Sequence, residues 1–231
     1  MIAEAVHLLL SLPGAPPAHW RYLSEAVGLW ARGKRQEARA WAPHVARTRA
    51  AILDAMPEAR GRVVVLGSGP LFDVPLGELA AAFDEIVLVD RVHLLSARRQ
   101  RRPNVELLWR DLRDGLEAVP PADWTISLNL LSQMALGAAD GDERRVIDAH
   151  LRDLAARAGK TTLITDTGYR VLDRSGKVVE TFDLMFGVAL PPPAARWDWD
   201  VAPFGEQPVY LRAIHSVGLW PDWTAASLRA R

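Results

Sequence analysis

Two periodicities divide the chain. Apolar residues recur at helical spacing over Ala18–Ala31 and again over Gln36–Met56, and Pro57 and Gly61 close that stretch. Pro43 falls inside the second segment. A proline has no N–H to give, so it either breaks a helix or opens a new one, which predicts a junction at Trp41 or Ala42. From Arg62 onward the pattern changes to short apolar runs alternating with amphipathic ones. Val63–Leu66, Glu85–Val89, Val105–Trp109, Thr125–Leu130 and Thr161–Thr165 predict five strands. Pro75–Phe83, Val92–Arg101 and Glu143–Ala158 predict helices, with Asp73 as the N-cap of the first and Gly159 closing the last. Strands alternating with helices at this spacing predict a doubly wound, mostly parallel α/β sheet.

The tail changes character. Tyr169–Asp173 and Lys177–Phe182 flank Arg174-Ser175-Gly176, the pattern of a hairpin. Beyond the rigid run of prolines at 191–193, Arg196–Val201 and Val209–Val217 are further strand candidates. Antiparallel strands thus finish a sheet that begins parallel. The division implied is an N-terminal helical cap over residues 1–60 and an α/β domain over residues 61–231.

Composition narrows the class. A chain of 231 residues can bury one sizeable core. Lys+Arg and Asp+Glu both total 28, so net charge favours neither nucleic acid nor membrane. The local cluster of Arg98, Arg99, Arg101 and Arg102 has no interleaved aromatics and reads as a solvated helix end. Cysteine is absent, which excludes disulfides, thiolate metal sites and a cysteine nucleophile. No two histidines stand at metal-binding spacing, so no metal is expected. The opening MIAEAVHLLLSLPG has no basic flank and is cut off by Pro13; neither a signal peptide nor a membrane span is expected, and a cytoplasmic location is the default. Of nine tryptophans most lie outside the α/β run, and those at 20, 30 and 41 are candidates for a lid over a ligand.

Candidate chemistry concentrates at the strand ends. In GRVVVLGSGPLFDVPLGELAAAFDEIVLVD an apolar strand runs into Gly67-Ser68-Gly69, a helix follows, and the next strand ends on Asp90. Glycines there allow a sharp turn and close approach of backbone to a ligand, and a carboxylate at the following strand end accepts from ribose hydroxyls. Asp111 follows the third strand, where its carboxylate and the Leu112 N–H can meet an adenine edge; Asn129 ends the fourth. A dinucleotide fold needs a third glycine at the sixth position of its motif, occupied here by Phe72, and its pyrophosphate would pass Pro70 and Leu71. S-adenosylmethionine has no pyrophosphate and tolerates a wider turn.

The segments VVVLGSGP, IVLVD, VELLWRDL and WTISLNLLSQM together resemble the class I S-adenosylmethionine-dependent methyltransferases. The resemblance implies a sheet of seven strands with the last antiparallel, and S-adenosylmethionine as cofactor. It also implies that Gly67, Ser68 and Gly69 line the methionine portion and that Asp90, with Arg91 beside it, holds the ribose. Asp111 and Leu112 would contact adenine, and Asn129, Leu130 and Leu131 would flank the methyl group. The chain departs from the family pattern twice. Val65 stands where an acid usually precedes the first glycine by two, and Leu71 where a third glycine is usual.

For the acceptor, His44 shares a helical face roughly with Arg47 and could orient or deprotonate a substrate, or bind the methionine carboxylate. Gln133 follows the fourth strand at the crevice rim, and Asp166, Thr167 and Tyr169 follow the fifth; Asp166 is a candidate anchor for a cation. His93 and His215 read as packing residues. The segment SLNLLS lacks the aromatic-flanked proline of base and amide methylation, which points away from nucleic acid. The expectation is methyl transfer to a small molecule, with a homodimer as one candidate assembly. Two alternatives stand beside it: a cofactor-binding fold kept as an interaction or sensing module, and a nicotinamide-dependent oxidoreductase.

Overall fold

The computed structural model describes residues 2–13, 15, 17–206 and 208–229. Its strands are β1 Arg62–Leu66, β2 Glu85–Asp90, β3 Val105–Trp109, β4 Trp124–Leu128, β5 Lys160–Leu172, β6 Val178–Asp183, β7 Ala195–Ala202 and β8 Arg212–Trp220. Seven run side by side in the order β3-β2-β1-β4-β5-β8-β7, and β6 pairs with β5 off that path. From β3 to β5 every pairing is parallel. β8 is antiparallel to β5, β7 to β8 and β6 to β5.

The central strands are apolar runs because both faces are covered. On one face Val64, Leu66, Val87 and Val89 pack with residues of α6 (Leu131–Leu136), α7 (Glu143–Ala156) and α8 (Trp223–Arg229). On the other, Val63, Val65, Ile86 and Leu88 meet Ile52 of α3 (Ala42–Asp54) and Leu76 and Leu79 of α4 (Leu76–Ala82). A third cluster joins Leu23 and Val27 of α2 (Trp20–Gln36) to Val92 and Leu94, with Leu8 of α1 (Ile2–Ser11) against it. α1 and α2 therefore sit over the carboxyl end of the sheet, while α3 packs on its face.

Several boundaries differ from the sequence expectation. The second helical segment is interrupted at 37–41, and Pro43 occupies the first turn of α3, where its missing N–H costs nothing. The helix expected over Val92–Arg101 shrinks to α5, Leu95–Arg98, because Leu94 is extended and turns with Val92 under α2. Asp73 does not cap α4; Pro75 precedes that helix, and the Asp73 carboxylate accepts from Asn129 instead. The fourth strand stops at Leu128, since Asn129 adopts a φ of +46°. The strand expected over Val209–Val217 runs from Arg212 to Trp220. β5 continues to Leu172, so Asp166 and Tyr169 lie within the strand and not beyond it.

That long strand carries a bulge between Asp166 and Gly168 opposite β8. In regular strand, residues two apart share a face; one extra residue makes Asp166 and Tyr169, three apart, share one. Tyr169 is the register partner of His215, and His215 that of Trp199 on β7. No helix among the described residues is long and apolar enough to cross a membrane. Residues 1, 230 and 231, at the ends of the two expected domains, lie outside the described residues.

Candidate functional site

A cavity of about 350 Å³ opens at the carboxyl ends of β1, β2 and β4, and a second of about 180 Å³ adjoins it. Tyr22, Glu25, Gly67, Asp90, Leu130 and Gln133 border both. This is the switch point of the sheet, where β1 has β2 on one side and β4 on the other and the following connections diverge. The roof is α2, through Tyr22, Glu25, Ala26, Leu29 and Arg32. Of the three tryptophans considered as a lid, Trp41 alone lines the cavity; Trp20 is half exposed and Trp30 stacks on His7 at 4.0 Å.

The glycine turn is built for close approach. Gly67 has a φ of +75°, and a Cβ there would lie 2.8 Å from the Leu128 carbonyl oxygen. The Gly69 N–H donates to Asp90 Oδ2 at 2.8 Å and the Val92 N–H to Oδ1 at 3.3 Å. Burial pushes the Asp90 carboxyl up; His93 beside it and these backbone donors pull the other way. Phe72 lays its ring edge on Trp41 and covers Gly33, where an added Cβ would lie 2.2 Å from the Phe72 ring.

At the smaller cavity, Asp111 accepts from the Arg113 backbone N–H at 3.2 Å and from its guanidinium at 3.0 and 2.7 Å. Burial raises that carboxyl, but the bonds from Arg113 outweigh it and hold it below the usual range. Arg91 stands 3.4 Å from Asp111 and places its guanidinium 5.0 Å over the Tyr22 ring. Burial drives the Tyr22 phenol upward, so its hydroxyl stays a donor. Arg91, Asp111 and Leu112 border this smaller space, while Gly67, Ser68, Gly69, Asp90, Asn129, Leu130, His44, Gln133 and Asp166 border the larger one. Tyr169 borders neither; its hydroxyl donates to Glu180 at 2.6 Å.

Four residues lining the larger cavity have a buried polar atom with no hydrogen-bond partner among the described residues: His44 Nε2, Ser68 Oγ, Asn129 Oδ1 and Trp199 Nε1. Asp73 stands among them, accepting from Asn129 Nδ2 at 2.8 Å and lying 3.9 Å from His44 Nε2. The His44 ring stacks on Trp199 at 4.2 Å, and its Nδ1 accepts from Trp197 Nε1 at 3.0 Å. Indole is a donor only, so His44 carries its proton on Nε2 and offers the cavity a donor, not a base. Arg47, expected on the same face, is exposed and not at the cavity. These orphan atoms, with neighbouring Asp73, match the donors and acceptors that an α-ammonium and α-carboxylate require.

Beyond Gln133 lies a second buried group. Asp166 is 2 % exposed; Oδ1 accepts from Ser132 Oγ at 2.6 Å and Oδ2 from His215 Nδ1 at 2.7 Å. Each of its oxygens is thus already held by a neighbouring side chain. His215, read from sequence as packing, lines the cavity with its Nε2 uncommitted. Tyr22, Asp73, Trp199 and His215 were not singled out for the site. The helical spacing of Tyr22, Ala26 and Leu29 signals the first, whereas His215 depends on a bulge that no local pattern marks.

No family model and no curated protein sequence matches the chain. Solved structures match it at low identity. The N-methyltransferase NodS from Bradyrhizobium japonicum, in complex with S-adenosyl-L-homocysteine, is 11% identical over 78% of this chain and 87% of its own, with a TM-score of 0.44. An S-adenosylmethionine-dependent methyltransferase from Mesorhizobium loti is 15% identical over 78% and 76%, with a TM-score of 0.42. A TehB-like enzyme from Corynebacterium glutamicum is 18% identical over 74% and 86%, with a TM-score of 0.41. By its own strand order the sheet is doubly wound and mostly parallel, with β8 the antiparallel member between β5 and β7.

Proposed function

We propose that the protein transfers a methyl group from S-adenosylmethionine to a small-molecule acceptor in the larger cavity. The carrying observation is that His44 Nε2, Ser68 Oγ and Asn129 Oδ1, on residues of the cavity wall beside the glycine turn, are buried and unpartnered. Buried polar groups are nearly always paired, so such a set calls for a ligand that completes it.

Each end of the cofactor has residues suited to it. Leu112, Arg91 and Asp111 border the adenine end, Asp90 accepts from the ribose, and Tyr22 closes over both. At the amino-acid end, Asp73 and Asn129 Oδ1 accept from the ammonium, while His44 Nε2–H and Ser68 Oγ–H donate to the carboxylate. Bound there, the cofactor supplies a methyl carbon on a positively charged sulfur.

The two departures from the family pattern then make one exchange. Val65 and Leu71 pack in the same apolar cluster, so an acid at position 65 would have no partner. Asp73, past the turn, supplies the carboxylate on the cavity side.

Calorimetry tests this with two ligands that differ only at the amino-acid end. S-adenosylhomocysteine and 5′-methylthioadenosine should both bind the wild type. Asp73→Asn should weaken the first by about tenfold to a hundredfold, the range of a hydrogen bond to a charged group, and leave the second unchanged. A folded wild type that binds neither overturns the proposal.

A further inference from the structure

We infer that the methyl acceptor is a hydroxyaryl compound, and that its hydroxyl gives its proton to His215 Nε2 while Asp166 and Ser132 hold the imidazole in place. This rests on the cofactor reading above. An ionised carboxylate can only accept, so the 2.7 Å contact fixes the His215 Nδ1 as donor to Asp166. The other ring nitrogen is then free to act at the cavity wall. Asp166 is itself held by Ser132 and screened from solvent, so it orients the ring and stabilises the imidazolium that forms.

The surroundings select the acceptor. His215 sits in a row of rings running across β5, β8 and β7 onto α3. Tyr169 stacks on it at 5.5 Å, Trp199 meets it edge-on at 6.0 Å, and His44 stacks on Trp199. The inner members, His215, Trp199 and His44, line the cavity with Trp41. Flat faces of this kind take an aromatic ring. An ammonium acceptor would call for a carboxylate given over to it; of the four that line the cavity, Asp166 holds Ser132 and His215 itself, Asp73 and Asp90 stand at the cofactor end, and Glu25 is exposed at the mouth, 3.9 Å from Arg21. Between hydroxyls, a phenol ionises near pH 10 and an aliphatic alcohol far higher, so a neutral imidazole suits the phenol.

The step balances without a further reactant. His215 takes the hydroxyl proton, the oxygen's freed pair forms the bond to the methyl carbon, and the carbon–sulfur pair leaves with sulfur, which becomes a neutral thioether. The imidazolium returns its proton to water.

The test uses full-length protein saturated with S-adenosylhomocysteine, so that no turnover occurs, and 4-nitrophenol as probe. The wild-type complex should bind the probe and show the phenolate spectrum at a pH well below the probe's ionisation in water. His215→Ala and His215→Asn complexes should bind it as the neutral phenol, and Asp166→Asn should move the ionisation to higher pH. With S-adenosylmethionine, phenols and catechols should be methylated while aliphatic alcohols and alkylamines are not. Turnover should fall about 10²- to 10⁴-fold in His215→Asn, the range of lost general-base catalysis. A wild type that binds S-adenosylhomocysteine but not the probe, or whose phenolate spectrum survives in both His215 variants, overturns the inference and leaves the cofactor reading standing. Failure to bind S-adenosylhomocysteine brings down that reading first.

Discussion

Leu71 has a φ of +67° and is 3 % exposed. The left-handed conformation costs a residue with a Cβ about 1–2 kcal/mol, and glycine almost none. The backbone here thus keeps the shape that a third glycine would have, and the side chain that replaced it fills the cluster containing Val65 and Ile52. Burying a leucine contributes about 1.5–3 kcal/mol, enough to offset the strain. A reversal of the usual order follows. Leu71→Ala removes the packing and retains the strain; Leu71→Gly removes both. The glycine variant should be the more stable of the two by up to about 1 kcal/mol in denaturant melts, the opposite of what helix or strand interiors give. Equal stability, or a more stable alanine variant, would show the backbone at 71 to be relaxed.

Among elements, α2 and the two-stranded extension of the sheet close on one another over the cleft. Glu206, in the β7–β8 connection, accepts from Arg35 at 3.2 and 3.0 Å and from Gln36 at 2.9 Å, at the far end of the helix whose Tyr22 borders both cavities. Arg35 is half exposed but the Glu206 carboxylate is mostly covered, so Glu206→Gln should cost about 1–3 kcal/mol and leave the chain folded. Hydrogen exchange in residues 20–36 should nevertheless speed up selectively, because these bonds join α2 to the opposite wall. Uniform exchange throughout the chain would argue against such a strap. The same elements explain what could be read beforehand. β1 and β2 announce themselves because both faces are buried and the runs are apolar between their end residues. The place of Asp90 at the cavity was legible because it ends such a run. α5 was overcalled because Val92 and Leu94 turn toward α2, a tertiary contact. The Asp166–His215 pair was hidden because the residues are 49 apart and meet only through the bulge in β5.

For the whole molecule, the sheet's burial of histidine sets a pH dependence. His150 of α7 is 2 % exposed, its Nε2 2.9 Å from the Ser127 hydroxyl of β4, and its Nδ1 has no partner among the described residues. Desolvation disfavours the imidazolium and pushes its pKa down to about 4 from 6.5. Between those values the unfolded chain binds the proton and the folded chain does not, so stability falls as pH falls through that window. One unit is 1.36 kcal/mol, so this group alone removes about 2 kcal/mol between pH 6.5 and 5. His7, lowered first by burial, acts in the same direction. Asp90 acts in the opposite one: burial raises its folded value above the unfolded one, so the folded chain takes up that proton more readily as pH falls. Asp111 and Glu206 are held low by their arginine bonds, and what they contribute is lost only below the ordinary carboxylate range, outside the histidine window. Urea unfolding at a series of pH values should therefore show the wild type weakening from near neutrality. His150→Gln, which cannot titrate and keeps a hydrogen-bonding group near Ser127, should start less stable and show about 2 kcal/mol less dependence on pH between 6.5 and 5. If the variant follows the wild-type curve at a constant offset, the titration belongs to another group and His150 is solvated in the native state.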